Sequence, residues 1–223
     1  MSSNTQSILG TGASPASVLT NDLAGLTADA SGRYRAWVTQ HPVAAALLAG
    51  LVATHVATII GYWMPGIGLP QLDWNRVNGM IYTPTASVDV QFLSGGIFHY
   101  LDGLVFTVLY AAALFPLLRW RSTVVGNLLK GLLFGTVLAT ISCAFMTPRV
   151  YFPNQDVGFF SHNLGWQTIL AVYLWHWVFG AHLGAIYNPE EERSSLTHHQ
   201  TYLSSNGTGD VAVVSRSPAR PAL

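Results

Sequence analysis

Four long apolar stretches divide the chain, and polar residues collect between them and at both ends. The stretches cover residues 43–64, 93–118, 127–146 and 164–187. Each has about 20 residues or more, enough for a helix to cross a hydrocarbon core of about 30 Å at 1.5 Å per residue. Backbone polar groups cannot stay unpaired in lipid, so we predict that all four stretches are transmembrane helices.

Composition indicates the same class of protein. Charged residues make up 9% of the 223-residue chain and hydrophobic residues 50%, whereas soluble domains average about 25% charged residues. Ten basic and ten acidic residues leave no net charge, which excludes the basic surface of a nucleic-acid-binding protein. The single cysteine, Cys143, excludes a disulfide framework and a cysteine-based metal site. We therefore predict an all-α polytopic membrane protein with a four-helix transmembrane bundle at residues 41–189.

The two ends of the chain differ from the bundle. Residues 1–40 and 190–223 are rich in small polar residues and lack apolar periodicity, so both are predicted to be disordered cytoplasmic tails. Basic residues flank three of the five connecting or terminal segments: Arg33, Arg35, Arg119, Arg121, Lys130 and Arg193. The other two loops carry one arginine each, Arg76 and Arg149. The positive-inside rule then predicts a bacterial cytoplasmic (inner) membrane with both termini in the cytoplasm.

Glycine pairs indicate how the predicted helices pack. Gly131 and Gly135 lie four residues apart in the third stretch, and Gly180 and Gly184 lie four apart in the fourth. Small residues at this spacing let two helices approach closely in lipid. Both pairs lie at a similar depth, so we predict that the third and fourth helices cross there.

Ionisable residues inside a bilayer are costly and point to functional sites. His99 and Asp102 are three residues apart in the second stretch, so they share one helix face. A carboxylate there can orient the imidazole, and the pair could relay protons, ligate a metal or bind a polar substrate. The alternative is that the two satisfy each other and a neighbouring helix.

Three more histidines are candidate haem or metal ligands: His55, His176 and His182. His55 and His176 lie near the middle of the first and fourth stretches, and two such imidazoles facing each other could ligate haem b. His182 is six residues from His176, so the two point to different faces. Interhelical hydrogen bonds are the alternative role for each histidine.

Other polar and aromatic residues carry weaker expectations. Lys130 is predicted to be an anchor that extends toward the cytoplasmic boundary. The long segment at residues 65–92 could host a site or cap the bundle, and His162 with Asp156 could form an exposed metal site together with His99. Aromatic residues are expected to fill the bundle, or else to line a groove for a lipid or quinone: Tyr110, Tyr173, Trp175 and Trp177.

Several short motifs resemble a bacterial family of small four-helix membrane proteins of unknown function, similar to YagU-type inner-membrane proteins. They are Gly50-Leu-Val-Ala-Thr54, Gly68-Leu-Pro-Gln-Leu-Asp73, His99-Tyr-Leu-Asp-Gly103, Lys130-Gly-Leu-Leu-Phe-Gly135, His176-Trp-Val-Phe-Gly180 and Leu183-Gly-Ala-Ile-Tyr187. The resemblance covers residues 43–189. It implies four transmembrane helices in the bacterial cytoplasmic membrane and no established catalytic activity. His99 and His176 occupy the motif histidine positions, whereas His55 belongs to no matched motif.

No nucleophile elbow, phosphate-binding loop or zinc-protease motif is present in the sequence, so we predict a non-enzymatic protein. The predicted function is an integral membrane accessory or structural protein, with the lipid bilayer and other subunits or a second copy as partners. One alternative is a redox subunit that binds haem b or a metal through intramembrane histidines. The other is a carrier of protons or small solutes that uses His99 and Asp102.

Overall fold

The computed structural model describes residues 15–118 and 122–190, with side chains from residue 24 onward. Six principal helices occupy these ranges: α1 (Pro15–Gln40), α2 (Pro42–Trp63), α3 (Trp74–Tyr82), α4 (Val88–Leu109), α5 (Val124–Ile141) and α6 (Trp166–Ile186). Short 3₁₀ segments follow α2 at Met64–Ile67 and precede α6 at Phe159–Leu164. The described part of the chain is therefore all-α, as predicted.

Four of the helices are long and apolar enough to cross a membrane. With their extensions they cover Pro42–Ile67, Val88–Leu117, Val124–Tyr151 and Trp166–Ile186. The fold class predicted from the apolar stretches is thereby confirmed, and the protein is a multi-pass membrane protein.

Three spans are longer than the apolar runs suggested, and the first of them continues through the 3₁₀ segment to Ile67. The second begins at Val88, five residues before the predicted start, because Ser87 caps the helix and Asp89 is tolerated in its first turn. The third continues to Tyr151, beyond its predicted end at residue 146, and contains Pro148. Residues Ser142–Tyr151 form a π-helix, with i→i+5 hydrogen bonds, that continues the span.

Neighbouring helices run antiparallel and follow one another in space in the order α5, α6, α2, α4, α3. Helix α6 packs on both α5 and α2, α2 also packs on α4, and α3 lies along the first half of α4. Helices α4 and α5 pack mainly against these partners, and their two spans meet beside the α4–α5 connection, where the Tyr110 and Phe134 ring centres are 5.3 Å apart. A cleft therefore separates α4 from α5.

The four predicted packing glycines meet at the α5–α6 crossing. A Cβ atom built at Gly131 would lie 2.1 Å from the Gly180 carbonyl oxygen, and one at Gly135 would lie 2.3 Å from the His176 carbonyl oxygen. A Cβ atom at Gly184 would lie 2.3 Å from the Asn127 carbonyl oxygen. The two backbones are thus in direct contact, and no residue larger than glycine fits between them.

Residues 15–40 form helix α1, although they were expected to belong to a disordered tail. The Tyr34 hydroxyl donates to the Ile186 carbonyl, and Arg35 donates to the carbonyls of Ser122 and Pro189. Val38 is fully buried. These tertiary contacts stabilise a segment whose composition predicted no ordered structure. They attach α1 to the end of the bundle that contains the α4–α5 connection. Residues 1–14 and 191–223, the rest of the predicted tails, lie outside the described residues.

Lys130 is buried, with an exposure of 1%, so it does not extend to the membrane boundary as predicted. Its ammonium group lies 4.1 Å from the centre of the Phe115 ring, which is a cation–π distance. One turn away, Asn127 is also fully buried and donates to the Asn188 side chain across 2.6 Å. Lys130 lies on the inward-facing side of its helix. Its position along the sequence indicates depth in the membrane but not which way the side chain faces.

Candidate ligand cavity

A cavity of about 390 Å³ occupies the cleft between α4 and α5. Helix α6 forms its floor, and α3 covers the end away from the α4–α5 connection. Its polar lining residues are Asn78, His99, Asp102, Ser142 and His176, and its aromatic lining residues are Trp74, Tyr82, Phe106, Phe145, Tyr151, Trp175 and Phe179. The volume lies in the range of small-molecule sites, about 300–1,000 Å³.

The π-helical part of the third span, which continues α5, forms one wall of the cavity. Ser142, Phe145–Met146 and Val150–Tyr151 line it in succession. The step from 145–146 to 150–151 is five residues, which matches the i→i+5 pattern of the π-helix and keeps both groups on one face. The departure from α-helical geometry therefore places Tyr151 in the cavity wall.

His99 lines the cavity from α4 and is buried, with an exposure of 6%. Its Nε2 lies 3.0 Å from the Thr58 hydroxyl, and that hydroxyl donates to the Thr54 carbonyl at 2.7 Å. Since the Thr58 proton is used in that bond, the neutral imidazole donates from Nε2 to Thr58. Its Nδ1 is then an acceptor. Helix α2 therefore fixes the orientation of His99 through one threonine.

His176 lines the floor of the same cavity from α6. Its Nδ1 lies 2.7 Å from the Val172 carbonyl oxygen, which can only accept, so Nδ1 carries the proton. Nε2 at the far end of the neutral ring is therefore an acceptor. His182 makes the same bond to Val178, but it is half-buried and does not line this cavity.

Asp102 is half-buried and lines the cavity on the same face of α4 as His99. The prediction that the two share a face is correct, although no hydrogen bond joins them. Burial and, second, the nearby Asp102 carboxylate raise the pKa of the Tyr82 phenol on α3. Among the residues that the structure describes, Asp102 forms no ion pair.

Aromatic rings surround the polar groups. The Trp74 ring centre lies 5.9 Å from that of Trp175, 5.4 Å from that of Tyr151 and 6.4 Å from that of His176. Both tryptophans are more than nine-tenths buried. The indole Nε1 of Trp74 is buried without a hydrogen-bond partner in the described ranges.

The mouth of the cavity is apolar. Phe106 on α4 is 39% exposed, and Ile141 and Phe145 on the third span are 47% and 56% exposed. All three belong to membrane-spanning segments, whereas the fourth exposed lining residue, Tyr82, lies on α3 outside them. The cavity therefore opens sideways, toward the acyl chains of a bilayer, with its ionisable groups on the inner walls.

The structure does not bring His55 and His176 together. His55 lies on the exposed face of α2, where its Nδ1 is 2.6 Å from the Tyr100 hydroxyl, and it does not line the cavity that holds His176. His162 is likewise exposed, next to Asn163. Across residues 15–118 and 122–190, no group of three or more histidine, cysteine, aspartate or glutamate side chains could hold a metal ion.

Helix α3 supplies the lining residues that sequence reasoning missed. Trp74, Asn78, Ile81 and Tyr82 follow an i, i+4, i+7, i+8 spacing, which marks one face of a helix. That periodicity was visible within the long loop predicted to host a site or cap the bundle. The sequence does not show whether this face of α3 points toward the cleft or toward the lipid headgroups, because that depends on the packing of α3 on α4.

The comparisons with known proteins add no relative. No protein-family model, no curated protein and no solved structure matches the chain. The resemblance to YagU-type proteins accordingly stays a prediction. The residues of the cavity are therefore the basis for assigning its chemistry.

Proposed function

We propose that this membrane protein binds a lipid-soluble amphiphile in the cavity between α4 and α5. The observation that carries the proposal is the arrangement of the walls: ionisable and hydrogen-bonding groups lie inside, and the mouth of exposed aromatic and aliphatic side chains lies within the spans. A molecule with a polar head and an apolar tail satisfies both parts. Binding requires no catalytic step, in keeping with the predicted non-enzymatic role.

The location of the polar groups favours an amphiphile over a water-soluble solute. His99, Asp102 and His176 lie on segments that span the membrane, beneath the cover that Trp74 and Asn78 provide from α3. A ligand already dissolved in the bilayer can enter beside Phe106 without crossing that cover. Its tail then remains in lipid, where no hydration has to be restored.

A photoreactive alkyl probe tests the proposal. A long-chain alcohol with a diazirine in its tail should label the peptides that contain Phe106, Ile141 and Phe145 more strongly than other lipid-facing segments. The Ser142→Phe variant places a ring in the cavity and should reduce this labelling about tenfold.

The matched control is Ala144→Phe, which adds the same ring on the exposed side of the same span. The probe should label the cavity peptides of Ala144→Phe as strongly as those of the wild type. Equal labelling of all exposed helix faces, or equal loss in both variants, would show that the cavity binds no amphiphile.

We also propose that the end of the bundle around Arg35 faces the cytoplasm of a bacterial cell. The hydrogen bonds of Arg35 join α1, the α4–α5 connection and the end of α6. The sequence of that connection includes Arg119 and Arg121, and the positive-inside rule places such arginines in the cytoplasm. The accessory-subunit prediction is compatible with this topology, as is the carrier that uses His99 and Asp102.

Cysteine labelling of whole cells checks the topology. In a Cys143→Ala background, Asn154→Cys in the exposed loop before α6 should react with a membrane-impermeant maleimide. Gly32→Cys on α1 should react only after the cells are permeabilised. The reverse pattern would mean that the orientation is inverted.

A further inference from the structure

We propose that the head group recognised in this cavity is an organic ammonium, that is, the protonated amine of a lipophilic molecule. This inference rests on the proposed function and specifies its ligand class. Three properties of the lining carry it: the sign of its charge, the direction of its hydrogen bonds and its aromatic faces.

Asp102 supplies the charge. Among the described residues that line the cavity, it is the sole aspartate or glutamate, and none is lysine or arginine. Within the described ranges no cation pairs with Asp102. A carboxyl group inside a membrane protein either takes up a proton or ionises beside a positive charge. A cationic head group would provide that charge, whereas an anionic one would be repelled.

The two imidazoles supply hydrogen-bond acceptors. His99 donates its ring proton to Thr58 and His176 donates its ring proton to Val172, so one nitrogen of each neutral ring remains as an acceptor. Asn78 and Ser142 can donate or accept and do not discriminate between head groups. The indole Nε1 atoms of Trp74 and Trp175 are buried donors without a partner in the described ranges, so they would serve an acceptor other than the ammonium nitrogen. A primary ammonium has three donors and no acceptor, so it complements the carboxylate and both ring nitrogens.

The aromatic walls supply the third property. Trp74, Trp175, Tyr82 and Tyr151 all line the cavity, and Trp74 and Trp175 meet at an interplanar angle of 69°. Aromatic faces attract cations, most strongly in sites from which water is excluded. A neutral alcohol would gain none of this attraction.

Three photoreactive probes with the same diazirine-containing chain test the inference. One carries a primary amine, one a hydroxyl and one a carboxylate, and labelling of cavity peptides is normalised to labelling of the exposed face of α2. We expect the amine to label the cavity about ten times more strongly than the alcohol and the carboxylate to label it least.

The Asp102→Asn variant should lose the preference for the amine and retain labelling by the alcohol, which also shows that it folds. Asp89→Asn, on an exposed position of the same helix, is the matched control and should keep the preference. Equal labelling by amine and alcohol in the wild type, or an unchanged preference in Asp102→Asn, would overturn the ammonium assignment and leave the amphiphile proposal standing. Failure of all three probes to label the cavity would overturn the amphiphile proposal itself.

Discussion

Replacing Gly180 with alanine will lower the free energy of unfolding by about 3 kcal/mol or more, at the upper end of what overpacking costs. The added Cβ atom would lie 2.2 Å from the Gly131 carbonyl oxygen, and a backbone atom cannot move aside as a flexible side chain can. The α5 and α6 helices would have to separate along their crossing. A denaturant titration in detergent, followed by circular dichroism, measures the change.

The control is a glycine-to-alanine substitution at a position where the added Cβ atom meets no neighbouring atom. Gly32 lies in α1 with no atom within 4 Å of a built Cβ, so Gly32→Ala should leave stability unchanged or slightly improved by helix propensity. Gly131→Ala should resemble Gly180→Ala, and the double variant should lose less than the sum because both widen one crossing. Additive losses, or a loss in Gly32→Ala as large as in Gly180→Ala, would contradict the direct backbone contact.

Gly95→Ala and Gly96→Ala will behave oppositely although the residues are adjacent. A Cβ atom at Gly95 would lie 1.8 Å from the Asn75 carbonyl oxygen and 2.3 Å from the Gly79 nitrogen, both on α3. At Gly96 the nearest contact is 3.5 Å, to the Asn75 side chain, which is ordinary van der Waals distance. Only the first variant should displace α3 from α4.

The displacement has two readouts. In Gly95→Ala the amides of α3 should exchange with deuterium at least tenfold faster, a change of about 1.4 kcal/mol in local stability. Amphiphile labelling of the cavity should fall as well, because Trp74 and Asn78 move with α3. Gly96→Ala should match the wild type in both measurements. If α3 exchanged equally fast in the two variants, its role as the cover of the cavity would be wrong.

The spans were predictable because, in a chain with 9% charged residues, nearly charge-free runs of this length rarely form anything except membrane-spanning helices. The His99–Asp102 face was predictable for a local reason, since three residues along a helix always bring two side chains to neighbouring positions. The predicted end of the third span at residue 146 was wrong, because the span continues as a π-helix through Pro148 to Tyr151.

The long-range relations could not be read in the same way. His55 and His176 lie at matching depths, yet one is exposed and the other buried, because depth does not specify the rotation of a helix about its axis. Lys130 was misplaced for the same reason. The glycine pairs were more informative about helix packing. A close crossing specifies both the depth of the contact and the side of each helix that faces its partner.

The spatial order α5, α6, α2, α4 gives the bundle a cross-section like the letter C, and the cavity mouth is its gap. Residues at the gap, such as Phe106 and Phe145, are partly exposed. Under the proposed function, substitutions there would alter which tails are admitted at little cost to folding, whereas the α5–α6 glycines leave no room for a larger residue. Under the proposed function, variants with an altered ligand preference would therefore carry their substitutions on the two sides of this gap.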